Sequence, residues 1–144
     1  MQPRGRLHQD DTFEVAGLAG GIVEKLLGYT TEAERDDQPE KMFLKVHGLP
    51  WQSYFLDAGL GFWEESGEEE DPFDAYRGDS REIDYGERFG LLGARIIEAR
   101  CSVIEPWQTT SIAVTFEAGV LRLSYARPND LDADVVLTFE RFGG

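Results

Sequence analysis

The segment from Phe62 to Tyr76, FWEESGEEEDPFDAY, places seven carboxylates among aromatic side chains without a single lysine or arginine. Carboxylate oxygens are ligands for calcium, but the segment lacks the D-x-[DN]-x-[DN]-G register that wraps this ion. Two carboxylates about 5 to 9.5 Å apart could also hydrolyse a glycoside, with Trp51, Trp63 or Trp107 stacking on the sugar. The spacing singles out no such pair, so neither chemistry is specifically indicated.

A third interpretation of the same segment is a docking surface for a basic partner. Clustered carboxylates create a focused negative potential, and aromatic side chains beside them can anchor a contact by burying area. The predicted partner-binding residues are Trp63, Glu64, Glu65, Glu68, Glu69, Glu70, Asp71 and Asp74, flanked by Phe73 and Tyr76. We favour this interpretation, with a solvated loop of no binding function as its alternative.

The rest of the sequence does not indicate a metal site or a reactive cysteine. A zinc site needs imidazole or thiolate ligands at close spacing, whereas His8, His47 and Cys101 lie far apart in the sequence. Cys101 alternates with Ile97, Ala99 and Val103 and is predicted to be a buried small hydrophobe rather than a nucleophile. No metal site is predicted. His47 has no carboxylate near it in sequence that would orient it, so it is predicted to be a surface or core residue rather than a catalyst.

Motifs for nucleophilic catalysis and phosphate binding are also missing. Ser80, in GDSRE, lies in a polar loop outside any G-x-S-x-G motif, and its predicted role is in turn chemistry. The glycines of AGLAGGIV do not meet the G-x-G-x-x-G spacing, so Gly17, Gly20 and Gly21 are predicted to turn the backbone. The sequence therefore predicts no catalytic residue and no cofactor.

The charge balance constrains the class of partner. The chain has 28 acidic and 14 basic residues and a formal net charge of −14. Such a charge repels phosphate groups and anionic lipid surfaces, and it steers a cationic protein toward the surface. We therefore expect a basic protein partner, no nucleic acid and no membrane.

Length and composition indicate one globular unit. A chain of 144 residues with 41% hydrophobic side chains can form a single core, so we predict one domain over residues 1–144. The lone cysteine cannot form an internal disulfide, and the N-terminal MQPRGRLHQDD has no apolar run typical of a signal peptide. No stretch reaches the roughly 18 apolar residues of a membrane span, and we predict a cytoplasmic protein.

The elements that must position these residues are clearest in the C-terminal third. Apolar and polar residues alternate there with the two-residue period of half-buried strands. The predicted inner faces are Ile97, Ala99, Cys101 and Val103, then Ile112, Val114 and Phe116, then Leu121, Leu123 and Tyr125, and finally Val135, Leu137 and Phe139. Gly119 is predicted to take a positive φ in a short hairpin loop, and Pro128, Asn129 and Asp130 favour a later reversal. The pattern predicts a four-stranded antiparallel meander from about residue 93 to 142.

The N-terminal half gives a weaker pattern. KMFLKVHG opposes Met42, Leu44 and Val46 to Phe43, Lys45 and His47, and WQSYFLDAGLGFWEE is aromatic and prone to form strands, so two further strands are predicted. GIVEKLLGYTTEAERDD fits a short helix, with Ile22, Val23, Leu26 and Leu27 on one stripe, or an edge strand. Residues from about 64 to 84 lack apolar periodicity and are predicted to be a long acidic loop. The predicted fold class is α+β, predominantly antiparallel β, with at most one or two short helices.

Together these observations favour a non-enzymatic interaction module of the inhibitor, immunity or accessory type that docks a basic partner. One alternative is a small-molecule or carbohydrate-binding domain, or a hydrolase, with an aromatic and acidic cleft. Its residues would be Trp51, Tyr54, Phe55, Phe62, Trp63, Asp57 and Glu64. A homodimer formed through exposed strand edges is the other alternative.

Overall fold

The structure, a computed structural model, describes residues 5–30, 36–65, 81–104, 109–127, 130 and 133–143. Within these ranges it contains eleven strands and one four-residue helix. In chain order the elements are β1 (Gly5–Asp10), β2 (Phe13–Glu14), β3 (Val23–Thr30), β4 (Lys41–Val46), β5 (Gln52–Asp57), β6 (Leu60–Glu65), β7 (Arg81–Asp84), α1 (Tyr85–Arg88), β8 (Ile96–Ile104), β9 (Thr109–Phe116), β10 (Gly119–Tyr125) and β11 (Val135–Arg141).

The strands form two sheets that pack face to face. Sheet A has the order β1-β6-β5-β4-β3-β7, and sheet B has the order β11-β10-β9-β8-β2. Every neighbouring pair in both sheets is antiparallel. The prediction of a mostly β, antiparallel protein is thereby confirmed, and α1 is its only helix among the described residues.

Sheet B contains the strands that alternation predicted. β8, β9, β10 and β11 are sequential antiparallel neighbours, and the short β2 adds to the outer edge of β8. Ile97 is the exception, because a register shift between Ile96 and Glu98 moves it to the surface, where it is 49% exposed. Ile96, 1% exposed, takes the core position instead. A bulge of this kind adds one residue to a strand and reverses the pattern before it.

The predicted hairpin between β9 and β10 is present, but the predicted positive φ at Gly119 is wrong. Gly119 does not have a positive φ; it lies in β10 and pairs with Phe116 and Arg141, so that Glu117 and Ala118 alone form the turn. A Cβ at position 119 would overlap the carbonyl oxygen of Glu140 in β11. Glycine is needed here for the close approach of two backbones rather than for turn geometry.

The ambiguous segment after Gly21 is a strand and not a helix. β3 lies between β4 and β7 and contains a register shift between Val23 and Lys25. This shift places Val23 and Leu26 in the main core, while Leu27 packs on the opposite face of sheet A. The apolar spacing that mimics a helical stripe is therefore produced by a bulged strand with both faces buried.

The aromatic stretch after Trp51 forms two strands joined by a tight turn. Ala58 and Gly59 both have positive φ, 53° and 81°, which is the pattern of a type I′ hairpin. Sheet B holds this turn, because the Thr110 hydroxyl donates to the Gly59 carbonyl and the Gly59 amide donates to the Tyr125 hydroxyl at 3.0 Å. Tyr125 thereby joins the two sheets at one end.

Two apolar clusters stabilise the fold. The main core lies between the sheets, and its centre includes Trp63, whose ring stacks on Tyr54 at 4.7 Å. The second cluster contains Leu27, Phe43 and Trp51 and lies on the outer face of sheet A, which is the face turned away from sheet B. No helix within the described ranges is long and apolar enough to span a bilayer.

Candidate functional site

A cavity among the described residues lies where the edge of sheet A meets the edge of sheet B. Its volume is about 620 Å³. Three segments far apart in sequence form it: the turn at 36–37, the helix α1 with the residue after it, and the middle of β11. The lining residues are Asp36, Asp37, Tyr85, Arg88, Phe89, Leu137, Thr138 and Phe139.

The helix α1 positions three of these side chains. Asp84 caps its N-terminus by accepting a hydrogen bond from the Glu87 amide at 3.0 Å, and the Phe89 amide donates to the Tyr85 carbonyl at 2.9 Å. This single turn directs Tyr85, Arg88 and Phe89 to the cavity. Tyr85 is buried, so it also anchors the turn to the main core.

Aromatic rings form the apolar part of the cavity wall. The rings of Tyr85 and Phe89 are 5.8 Å apart, and those of Phe89 and Phe139 are 5.4 Å apart. The Arg141 guanidinium lies 5.2 Å from the Phe139 ring and donates to the Phe89 carbonyl at 2.8 Å. This cation–π contact shows that the aromatic wall already accommodates a planar cation of the chain itself.

Asp36 organises the charged part of the rim. Its carboxylate accepts from Arg81 at 2.5 Å and forms an ion pair with Arg88 at 3.1 Å. These hydrogen bonds, first from Arg81 and then from Arg88, lower the pKa of Asp36 below its usual value. The Tyr85 hydroxyl donates to the Asp36 backbone carbonyl at 2.5 Å, and burial raises the pKa of Tyr85. Asp36 is thus held ionised, and Tyr85 is held neutral.

The turn at 36–37 is also tied to sheet B. The Leu137 amide of β11 donates to the Asp37 carbonyl at 2.8 Å, while the Asp37 side chain is exposed. The cavity combines an aromatic wall with two carboxylates and Arg88, and this combination suits reversible binding of a planar or charged group. In the part of the chain that is described, no group of three or more His, Cys, Asp or Glu is placed to hold a metal ion.

The residues predicted to bind a partner are placed differently from one another. Trp63 is fully buried, and its indole nitrogen donates to Gln52 at 2.6 Å, so it cannot anchor a contact at the surface. Glu65 accepts from Gln52 at 3.1 Å, and Glu64 forms an ion pair with Lys41 at 3.0 Å. Both glutamates belong to β6 and not to a loop. Glu68, Glu69, Glu70, Asp71 and Asp74 lie outside the described residues.

The predicted aromatic cleft is not assembled as expected. Trp51 and Trp63 are 4% and 0% exposed, so neither offers a ring face to a sugar. They also lie on opposite faces of sheet A, in different apolar clusters. Neither the 620 Å³ cavity nor a second one of about 280 Å³, which is lined by β2 and β8 residues and the Val15–Ala19 stretch, includes these tryptophans.

Cys101 and the two histidines make contacts within the fold and do not lie together in one site. Burial, and then the charge of Asp11, raises the pKa of the Cys101 thiol to about 12, which disfavours the nucleophilic thiolate. His8 stacks on Phe13 with 4.5 Å between ring centres. His47 does have an orienting carboxylate, Glu24, at 2.7 Å, which lies on the neighbouring strand and is far away in sequence.

Sequence reasoning missed Tyr85, Arg88, Phe89 and Phe139 as site residues. The run YGERFG combines aromatic and charged side chains, which is the only local signal for a site in this part of the sequence. No spacing in the sequence, however, connects it with Asp36 about 50 positions earlier or with Phe139 about 50 positions later. Only the meeting of the two sheet edges brings these residues together.

Comparison of the chain with protein-family models, with curated proteins and with solved structures finds no match.

Proposed function

We propose that the protein is a non-enzymatic interaction module that binds a basic protein partner through the acidic segment, defined here as residues 66–80. The observation that carries this proposal is the charge of that segment: six carboxylates and one arginine in fifteen residues, within a chain of net charge −14. Such a local potential accelerates encounter with a cationic surface and disfavours anionic partners.

The placement of the flanking strands supports the proposal. The acidic segment follows β6 and precedes β7, and both of these strands belong to sheet A. On β7, Glu82 and Asp84 are exposed and add two carboxylates beside the segment. Glu64 and Glu65 already bond within the chain and Asp84 caps α1, so the proposed docking surface narrows to the acidic segment, with β7 adding only to its negative potential.

A partner that suits this surface has a cationic site of its own, such as the nucleic-acid-binding surface of a nuclease. An acidic protein docked there excludes phosphate groups from the site, which is the action of an inhibitor or immunity-type protein. The electrostatic part of such an association weakens as salt rises, because exposed charges are screened beyond about 8 to 10 Å at physiological ionic strength.

The test compares two variants of equal net charge against a panel of purified basic nucleases. The first variant carries Glu68→Gln, Glu69→Gln, Glu70→Gln and Asp71→Asn. The matched control carries Glu14→Gln, Asp57→Asn, Glu117→Gln and Glu140→Gln, four residues that are exposed outside the segment. Binding is measured by titration calorimetry at 50 mM and 300 mM salt.

We expect the first variant to weaken binding about tenfold or more at low salt, since each exposed charge contributes roughly 0.2 to 1 kcal/mol. The control should lose clearly less. If the two variants weaken binding equally, net charge alone explains it. If no member of the panel binds the unmodified chain at low salt, the proposal fails for this class of partner.

A second candidate function, binding of a small aromatic cation, is favoured by the cavity beside α1. Its volume of about 620 Å³ lies within the range of ligand sites. Phe89 and Phe139 can stack on a ring, and the exposed Asp37 at the rim can pair with a cationic group. Titration with an aromatic amidine such as benzamidine should shift the amide resonances of Phe89 and Thr138. Phe89→Ala should abolish these shifts, whereas Phe142→Ala, at an exposed position, should not.

A further inference from the structure

The strand β11 forms one edge of sheet B and turns part of its backbone away from its neighbour. Just beyond its two ends, the Phe142 amide donates to the Ala118 carbonyl at 2.8 Å, and the Ala126 amide donates to the Asp134 carbonyl at 2.7 Å. Because hydrogen-bonded pairs alternate with non-hydrogen-bonded pairs in an antiparallel ladder, the odd-numbered residues of β11 direct their N–H and C=O groups away from β10. Phe139 is one of them, and it lies at the outer edge of the sheet.

The turn at 36–37 occupies this outer edge at a neighbouring position. There the Leu137 amide donates to the Asp37 carbonyl at 2.8 Å. Two residues further along, the amide and the carbonyl of Phe139 accept and donate no hydrogen bond with another residue of the described ranges. Phe139 also lines the cavity beside α1, so this cavity borders an unpaired position of the strand edge. An edge of this kind can accept an extended peptide as a further strand.

A strand added at this edge would direct one side chain to the cavity. Residues directly opposite each other in an antiparallel pair carry their side chains on the same face, with about 4.5 to 5.5 Å between their Cβ atoms. The residue opposite Phe139 would therefore place its side chain beside the Phe139 ring. That ring packs against the main core together with Leu137, and both residues line the cavity. The side chain that binds is decided by what this part of the cavity offers.

The chain's own Arg141 shows which chemical group fits beside the Phe139 ring. Its guanidinium lies 5.2 Å from the ring centre and donates to the Phe89 carbonyl at 2.8 Å. Arg141 is exposed, so these contacts hold a side chain that solvent reaches. A planar cation with several N–H donors can contact an aromatic face and a carbonyl oxygen at the same time, whereas the compact ammonium of lysine is more strongly hydrated.

The charges at the rim also favour a cation. The carboxylate of Asp36 is compensated by Arg81 and Arg88. The side chain of Asp37 is exposed and forms no ion pair with the described residues. The rim therefore has one uncompensated carboxylate, in a chain of net charge −14. This carboxylate attracts a guanidinium that approaches the cavity.

We propose that the cavity beside α1 and the edge of β11 together bind an extended, arginine-containing segment of a protein partner. The backbone of this segment pairs with Phe139, and its arginine replaces the Arg141 guanidinium on the Phe139 ring, close to Asp37. This inference rests on the second candidate function, ligand binding by the cavity, and names the class of ligand. In the free protein Arg141 competes with the ligand for the same contacts.

The test uses short peptides and the isotope-labelled full-length chain. The probe is the pentapeptide TVRVT, acetylated at its N-terminus and amidated at its C-terminus. One matched control peptide has citrulline, a neutral isostere, in place of arginine. The other carries a methyl group on the backbone nitrogen of the arginine, which removes the donor to the Phe139 carbonyl. Affinities are taken from the amide shifts of Phe89, Thr138 and Phe139, and benzamidine is titrated separately.

We expect the arginine peptide to bind about tenfold more tightly than either control, because each control lacks a hydrogen-bond donor that the site uses and the citrulline peptide also lacks the charge. Equal affinities of the arginine and citrulline peptides would overturn the proposal, and so would equal affinities of the arginine peptide and its methylated form. If benzamidine binds and the arginine peptide does not, this inference fails while the second candidate function stands. If neither binds, both fail.

A substitution at Arg141 tests where the ligand lies. Arg141→Ala removes the internal competitor and should tighten binding of the arginine peptide about threefold or more. The matched control is Arg100→Ala, which removes the same charge from β8, three strands away, where the side chain is 51% exposed. Unchanged or weaker binding to Arg141→Ala would contradict the proposed position, and so would equal gains for both variants. The peptide comparisons need no substitution, so they test the proposal even if a variant folds poorly.

A substitution at Asp37 tests the charge at the rim. Asp37→Asn should weaken binding of the arginine peptide about two- to fivefold at low salt, because exposed ion pairs contribute modestly. Asp57→Asn, at another exposed position, removes the same charge and should have a smaller effect. Equal effects of the two variants would show that net charge, and not the rim carboxylate, attracts the peptide, which contradicts the proposed role of Asp37.

Discussion

The two faces of sheet A are both buried, but they are built differently. On the inner face Trp63 stacks on Tyr54, its indole N–H bonds to Gln52, and sheet B closes the layer. On the outer face Phe43 is equally inaccessible, yet lysines stand beside it, and Lys41 lies 5.2 Å from the ring of Phe55. The inner face is therefore a hydrophobic core, whereas the outer face resembles an interface, in which aromatic area and charge are interleaved. Burial alone does not distinguish the two.

The largest effect is expected from the inner face. Trp63→Ala removes a fully buried ring and leaves the Gln52 side chain without its indole partner. We expect the free energy of unfolding in urea to fall by about 3 to 5 kcal/mol. Phe142→Ala, at a position 48% exposed, should change it by less than about 0.5 kcal/mol. A small decrease in the free energy of unfolding for Trp63→Ala would mean that neighbouring side chains repack into the cavity.

A substitution at Gly61 measures how closely the two sheets pack in the inner layer. A Cβ there would overlap the Sγ atom of Cys101 and lie 3.2 Å from the Phe13 ring. Gly61→Ala should therefore cost about 1 to 3 kcal/mol in the same unfolding measurement. Because the main clash is with sulfur, the double variant with Cys101→Ala should lose less than the sum of the two single losses. Simple additivity would show that the clash is relieved elsewhere.

A smaller effect is expected on the outer face. Lys41→Met keeps the apolar stem but removes the ion pair with Glu64 and the cation–π contact with Phe55. We expect a loss of about 0.5 to 1 kcal/mol at low salt that shrinks at 1 M salt. Lys25→Met, at an exposed position, is the matched control and should have no measurable effect. A gain in stability for Lys41→Met would show that the outer face behaves as a core.

The smallest effect concerns the edge of sheet A, where Asp36 pairs with Arg81 and Arg88. The folded-state pKa of Asp36 is lowered from 3.8, so its contribution to stability is present above about pH 3.8 and is lost as pH falls through the folded value. Asp36→Asn should lower the melting temperature at neutral pH, and the difference from the unmodified chain should shrink as pH falls below about 3.8. Asp57→Asn, at an exposed position, should reproduce the unmodified pH profile.

The sequence predicts sheet B well because each of its main strands has one core face. Ile112, Val114 and Phe116 on β9, and Leu121, Leu123 and Tyr125 on β10, are all buried as the alternation indicates. The error at Ile97 comes from a bulge, and no residue type in GARIIEARC marks the position of the extra residue. Alternation therefore predicts the existence of a strand better than its register.

Sheet A is harder to predict because both of its faces bury apolar side chains. In β3 both faces are buried, and the register shift after Val23 interrupts the alternation of apolar and polar residues. A helix and a strand therefore fit the sequence pattern equally well. β1, Gly5–Asp10, is rich in polar residues and forms an edge, which gives no apolar signal at all. The cavity beside α1 forms because particular strand edges of the two sheets lie together. The local sequence pattern does not indicate which edges these are.

Every neighbouring pair in the order β6-β5-β4-β3-β7 is antiparallel, so β6 and β7 run parallel with three strands between them. This relation has a consequence for how the protein folds. β3 to β6 are joined by successive hairpins, so they can assemble through contacts between neighbours in sequence. β7 can pair with β3 only after β3 has formed. This pairing joins strands that are separated in sequence by β4, β5 and β6, so it carries a larger loss of chain entropy and should be slow. The edge formed by β7 and α1 should therefore be the last part to assemble and the first to exchange its amide hydrogens. Tyr85 belongs both to the main core and to the cavity, so the cavity should lose its shape when that late edge opens.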